Sequence, residues 1–217
     1  MSSRITVKST IKILGIFITA IMLTACASKP SRFFVLNPIK TGSYTGRNYD
    51  HLYIGLDEVH FPAYLQRPQL VTRKNYNELK LHEFSRWGET LEQNVTSVIR
   101  VNLSRLLPGS TVYTYPWPAT KRTNLQVELR INRFEQEYCG KSVLDADYRI
   151  VDSDKNSVLE NRTVHFVTRI PCEEVSFLIR GMNQNLSRLS VRIATSLKSF
   201  SGSVHRTTKT ELNSQVK

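Results

Sequence analysis

Leu125-Gln126-Val127-Glu128-Leu129-Arg130-Ile131 alternates strictly between apolar and polar side chains, the pattern of a strand with one face in a core and the other in water. Residues 143–151 and 158–170 continue in the same manner. The turn-rich Asp152-Ser153-Asp154-Lys155-Asn156 separates them, so the three segments predict an antiparallel meander. Downstream the period changes to that of a helix, about 173–200, with Val175, Leu178, Ile179, Met182, Leu186, Leu189, Ile193 and Leu197 in one stripe. Upstream, 111–115 reads as a short strand ending in Pro116-Trp117-Pro118. Before it, Leu91, Val95, Val98, Ile99, Asn102 and Leu106 share a helical face over 89–107, with Pro108-Gly109 as the stop. Earlier strand-like runs lie at 33–36, 52–59 and 69–73, the last two separated by a Pro-bounded loop, 61–68. Strands interleaved with two helices predict an α/β fold: a single domain over 31–200, its mixed sheet packed by two main helices including the long C-terminal one. Residues 201–217, poor in large apolar side chains, are expected to form a disordered tail.

The chain has 217 residues, 40% of them apolar, with 9 Gly and 8 Pro, which excludes disorder throughout and fibrous classes. Lys and Arg outnumber Asp and Glu by 30 to 18, for a net charge of +12. Such a balance suits nucleic acid, an anionic membrane surface or an acidic partner. The N-terminus narrows the choice. Residues 1–25 carry Arg4, Lys8 and Lys12, no acid, and an uninterrupted apolar-to-small run from Ile13 to Ala25, the pattern of a signal peptide. As a helix this run spans only about 20 Å, short of the ~30 Å hydrocarbon core. It ends in Leu23-Thr24-Ala25-Cys26, which resembles a bacterial lipobox and makes Cys26 the expected acylated N-terminus. Residues 26–30 then form a short tether. Ala27, rather than Asp, follows the cysteine, favouring the periplasmic face of the outer membrane of a Gram-negative bacterium. Nucleic acid is a poor partner in that compartment.

Signals for catalysis are thin. His51, His60, His82, His165 and His205 have no HExxH spacing, and GxSxG, P-loop and GxGxxG patterns are missing. Asp57-Glu58 and Glu173-Glu174 are adjacent acids, which point to opposite faces of a strand. No catalytic residue, metal ligand or cofactor is therefore expected. The Asn-x-Ser/Thr sequons at Asn94, Asn102, Asn161 and Asn185 have no role as glycosylation sites in a bacterial lipoprotein.

An ordered set of motifs stands out instead: Ser31-Arg-Phe33-Phe34-Val-Leu36, then Phe61-Pro62-Ala-Tyr64-Leu65-Gln-Arg67-Pro68-Gln69-Leu-Val71-Thr-Arg73, then Trp87-Gly-Glu89-Thr-Leu91 running into Asn102-Leu103-Ser104-Arg-Leu106-Leu107, and Tyr115-Pro116-Trp117. This series resembles the PqiC/YmbA family, the ABC-type transport auxiliary lipoproteins of MCE systems, over nearly all of 31–200. The resemblance implies an α/β fold without cofactor or catalysis. It also implies a role in intermembrane phospholipid transport, docking a PqiB-like MCE-domain protein at the outer membrane. Two departures matter. The family commonly has Trp-Ala-Glu-Pro-Leu where this chain has Trp87-Gly88-Glu89-Thr90-Leu91, so Thr90 must serve in place of a first-turn proline. Cys139 and Cys172 are not part of the family pattern.

Tyr64, Leu65 and Arg67, bracketed by Pro62 and Pro68, offer a partner the residue types that dominate interfaces. Equally, Tyr64 and Leu65 can pack inward with Arg67 capping a strand end. Trp87 and Trp117 are expected in the core. An MCE ring or tube would be matched most simply by a homo-oligomer. The two cysteines left over in an oxidising compartment, each at the end of an expected strand, suggest a disulfide between Cys139 and Cys172. Alternatives to the transport role are an envelope-assembly lipoprotein or, less favoured, a periplasmic glycan hydrolase assembled from distant carboxyls.

Overall fold

The computed structural model describes residues 29–40, 47–118, 120–138, 140–172 and 174–214, with side chains described as far as residue 202. The signal segment, Cys26 and Cys139 lie outside the described residues. The chain runs through β1 (Arg32–Phe34), β2 (Tyr53–Leu56), a 3-10 turn (Ala63–Leu65), β3 (Gln69–Asn75), β4 (Glu78–Trp87), α1 (Leu91–Leu106), β5 (Thr111–Thr114), β6 (Leu125–Glu137), β7 (Lys141–Asp152), β8 (Ser157–Arg169) and α2 (Val175–Ser214). The mixed sheet of eight strands and its two helices form the expected α/β fold.

β6 organises the sheet. Along one edge it pairs antiparallel with β7 from Leu125↔Asp152 to Glu137↔Lys141, and β7 pairs in turn with β8. The other edge is shared. β2 runs parallel to residues 125–127, β3 runs parallel to Gln136 and Glu137, and an isolated bridge joins His60 to Arg130 between them. The sheet therefore forks at β6, with β5 outside β2 on one arm and β4 and β1 outside β3 on the other.

The inward residues of β6, Leu125, Val127, Leu129 and Ile131, are buried beneath α2. A register shift between Ile131 and Arg133 then changes the parity, so that Phe134 faces the core. α2 buries Leu178, Met182, Leu186, Leu189, Ile193 and Leu197 as its stripe predicts. It also places polar groups there with partners: Ser196 Oγ lies 2.9 Å from the Tyr148 hydroxyl, and Asn185 Nδ2 donates to the Ser142 carbonyl at 2.9 Å.

Thr90 is the N-cap of α1, its Oγ1 accepting from the Gln93 N–H at 3.2 Å. Gly109 ends the turn after α1 with φ +82°, a backbone conformation that favours glycine. Two expectations need correction. β4 is a full ten-residue strand that sequence periodicity missed. The helical backbone of α2 continues to Ser214, past the boundary at Phe200 where a disordered tail was expected. The apolar stripe does end there, but no proline follows it, and nothing local stops the helix.

Candidate interaction surface

The Pro-bounded loop sits in the fork. The segment leading into it, residues 57–60, continues the ladder along β6: Asp57 N–H donates to the Val127 carbonyl at 2.9 Å, His60 N–H to the Leu129 carbonyl at 3.0 Å, and Ile131 N–H to the His60 carbonyl at 2.8 Å. At the apex the 3-10 turn closes with Leu65 N–H donating to the Pro62 carbonyl at 3.0 Å. These bonds dispose the three candidate side chains differently. Leu65 is only 3% exposed and belongs to the core, which removes it from the residues able to meet a partner in this conformation. Tyr64 is half-buried against the core, its hydroxyl 3.5 Å from the Asn132 carbonyl oxygen. Arg67 is exposed and forms no ion pair among the described residues.

Beneath Tyr64 lies a group the sequence did not reveal. Glu135 is fully buried, and its Oε1 accepts from Arg73 Nε at 2.6 Å and from Arg133 Nη2 at 3.3 Å. Its Oε2 has no hydrogen-bond partner among the described residues. Burial first, and the Glu135 carboxylate second, push the Tyr64 hydroxyl far above the ordinary range of tyrosine ionisation, so Tyr64 stays neutral. Arg73 ties the β3–β4 arm to the branch strand: it lies on β3, bonds Glu135 on β6, and donates from Nη1 to the Tyr76 carbonyl at 3.1 Å in the turn before β4. The register shift after Ile131 turns Phe134 to the core face and Glu135 to the other, where Arg73 and Tyr64 pack on it, a long-range contact that alternation along one strand does not carry.

The sheet face away from the helices is a polar ladder. Arg149 is paired with Glu128, and Asp147 accepts from Thr163 Oγ1 and from Asn132 Nδ2, both at 2.6 Å. His165 is bonded to Asp145. Where this ladder meets the start of the loop there is a depression of about 300 Å³, lined by Asp57, Glu58, His60, Glu128, Arg130 and Asp147 among others. The bonds from Thr163 and Asn132 hold the Asp147 carboxyl below the usual carboxylate range. Trp87 is buried as expected, whereas Trp117 is half-buried, covering Gly55 so closely that a Cβ there would lie 2.9 Å from its Cη2.

The pattern for the ABC-type transport auxiliary lipoprotein component matches residues 34–194, from the end of β1 into α2, including the fork loop and the Tyr115-Pro116-Trp117 corner. The chain belongs to this family. The ABC-type transport auxiliary lipoproteins are transport components rather than an enzyme family. A crystallised protein described only as uncharacterised superposes with a TM-score of 0.65 at 16% identity, covering 78% of this chain and 99% of its own. Protein XCC0632 from Xanthomonas campestris gives 0.67 at 12% identity, covering 82% and 99%. At these identities the likeness shows a shared fold. No curated protein matches the chain. Among the described residues no helix is long and apolar enough to cross a membrane.

Proposed function

We propose that this auxiliary lipoprotein is held by acylated Cys26 on the periplasmic face of the outer membrane and receives the distal end of an MCE-domain protein there, as part of an intermembrane phospholipid transport system. The observation that carries this reading is the fork loop: a backbone ladder along β6 and buried Leu65 fix it, while it leaves the Arg67 guanidinium exposed between Gln66 and Pro68. A pre-organised loop presenting an unpaired guanidinium forms directed contacts with little further ordering. Tyr64 supports the loop from below. A homo-oligomer would place several such loops around an MCE ring, each beside its own anchor.

A disulfide between Cys172 and Cys139 is part of the proposal. Cys172 is disulfide-bonded, its Sγ lies 4.0 Å from the position a Cβ would occupy at Gly140, and Ile170 N–H donates to the Gly140 carbonyl at 3.0 Å. Cross-linking the β6–β7 turn to the start of α2 would stabilise the domain by roughly 3 kcal/mol on the chain-entropy model.

The test is capture of the C-terminal region of the cognate MCE protein by the full lipoprotein in detergent. Arg67→Ala should weaken capture several-fold with an unchanged circular dichroism spectrum, while Leu65→Ala should lower the melting temperature. Normal capture by Arg67→Ala makes the loop a scaffold only. No capture by the wild type at any salt concentration overturns the transport role in favour of envelope assembly.

A further inference from the structure

Seven residues after Cys26, β1 turns a phenylalanine into water. Phe33 is 66% exposed and Val35, two residues on, is 47% exposed. β1 pairs parallel with the end of β4 in the register Arg32↔Ser85, Phe33↔Arg86 and Phe34↔Trp87. Phe34 and Trp87 go to the core side. Alternation then places Phe33 and Val35 on the opposite side with Arg86, and with Phe84, itself 46% exposed, two residues before Arg86 on β4. Val35 is held in place there, its Cγ1 only 3.1 Å from where a Cβ would stand on Gly88. The result is an apolar patch at the sheet edge where the chain enters the domain.

Its charged neighbours are of both signs. Arg32 is exposed, with its guanidinium over the Phe34 ring at 5.2 Å, and Arg86 Nε donates to the Glu83 carbonyl at 3.1 Å. The nearby acids are engaged: the Glu83 carboxylate accepts from Gln69 Nε2 at 3.3 Å and that of Glu89 from Asn94 Nδ2 at 2.6 Å. Exposed aromatic side chains with an arginine beside them, here Arg86 opposite Phe33, suit the headgroup level of a bilayer.

We infer that the patch of Phe33, Val35 and Phe84 is a second membrane contact, which seats this edge of the domain in the phospholipid headgroups of the leaflet that holds the acyl chains. The inference rests on the reading of Cys26 as the acylated residue. Seven residues of fully extended chain reach about 25 Å at most. A patch on so short a tether meets the membrane at a very high effective concentration, so weak insertion suffices. The contact converts a swivelling anchor into a fixed orientation for the fork loop.

The experiment uses the full acylated protein reconstituted into vesicles of phosphatidylethanolamine and phosphatidylglycerol whose acyl chains are brominated near the headgroup. Phe33→Trp is compared with wild type, whose native Trp87 and Trp117 set the background, and with Val158→Trp, which replaces another exposed apolar residue, on the outer strand β8. We expect the emission added by Phe33→Trp to be blue-shifted and to lose more than half its intensity in brominated vesicles, while that added by Val158→Trp is unchanged. Phe33→Trp protein that floats with the vesicles but stays unquenched overturns the inference, and a blue shift without quenching assigns the patch to a second copy of the chain. Wild-type protein that does not float refutes the Cys26 anchor, and the membrane contact with it.

Discussion

Replacing Asn102 by alanine tests how the chain entering from the anchor is tied to the helices. Asn102 is fully buried on α1, its Oδ1 accepting from the Ile39 N–H at 2.8 Å and its Nδ2 donating to Ser190 Oγ on α2 at 2.9 Å. Two turns before it, Asn94 Oδ1 accepts from the Leu36 N–H at 2.5 Å, and Arg105 donates to the Ile39 carbonyl. In Asn102→Ala, Ser190 keeps its donation to the Leu186 carbonyl at 2.8 Å, so the half-buried Ile39 amide is the group left stranded. A stranded amide costs about 1–3 kcal/mol, and the lost bond to Ser190 with the small void adds about 1, giving roughly 2–4 kcal/mol in all. For a domain of this size that lowers the melting temperature by on the order of 4–16 °C. Asn183→Ala is the control: it removes an exposed 2.9 Å bond to the Asn37 amide that water can replace, so its cost should stay within about 0.5 kcal/mol. Thermal melts followed by circular dichroism measure both, and trypsin cleavage after exposed Lys40 should accelerate in Asn102→Ala alone. Equal melting temperatures for the two variants would refute the idea that Asn102 joins the entering chain to both helices.

Gly181→Ala would ordinarily strengthen a helix by ~1 kcal/mol, but its Cβ would stand 2.7 Å from Ile170 Cγ2 and 2.8 Å from Ser142 Cβ. A net loss of about 1–2 kcal/mol is expected, read as a lower denaturation midpoint in urea. The pKa of His82 is lowered by burial and secondarily by Lys80, so the unfolded chain takes up its proton first: the contribution is intact above about pH 6.5 and declines as pH falls below that value. His82→Gln should flatten that part of the stability profile relative to wild type between neutral and mildly acidic pH; superimposable profiles would show that His82 does not contribute. Denatured, unreduced protein should expose no reactive thiol at Cys139 or Cys172, and labelling of both would exclude their bond. Cys26→Ala should give an uncleaved precursor that takes up no labelled fatty acid, and normal palmitate labelling of it would move the anchor elsewhere.

The elements that were legible in the sequence are those that bury one face with unbroken period: β6 up to Ile131, β7, β8 and the α2 stripe. β4 was not, because its pairing with β3 jumps from Leu70↔His82 to Gln69↔Arg86, and the residues inserted at 83–85 break the alternation of Leu79 and Leu81 before Phe84. Burial is also weak there, with Leu81 and Phe84 exposed. The fork was hidden for another reason: the alternation of β6 says which face is buried but nothing of which strand takes each edge. Glu135 stayed hidden because its burial comes from Arg73 and Tyr64, 62 and 71 residues away in the chain. Asn102 was placed on the correct helical face, but its partners at Ile39 and Ser190 lie 63 and 88 residues away, a pairing that local pattern does not encode.

The family motifs acquire a physical meaning when set on this frame. The segment around Phe34 and Leu36 enters the core and is bonded by α1, Trp87 is buried at the junction of β4 and α1, and Trp117 covers β2 from the face opposite the helices. In the loop motif Leu65 is core, and Tyr64 rests over a buried carboxylate of β6 that Arg73 ties to β3. Most of the signature thus holds a split sheet together at its branch point, where β2 and β3 must share one edge of β6 and neither covers it fully. A forked sheet of this kind leaves a stretch of β6 edge between its arms that would otherwise expose unpaired amides and carbonyls, and residues 57–60, which lead into the loop, cover part of that stretch with their own backbone. The same constraint fixes where Arg67 stands, so a contact made there would inherit the rigidity of the branch point. It follows that specificity for a partner should vary through the few exposed positions of the loop while Leu65, Arg73 and Glu135 remain tied to the fold, and that the scaffold and the docking role are separable by substitution within one short motif.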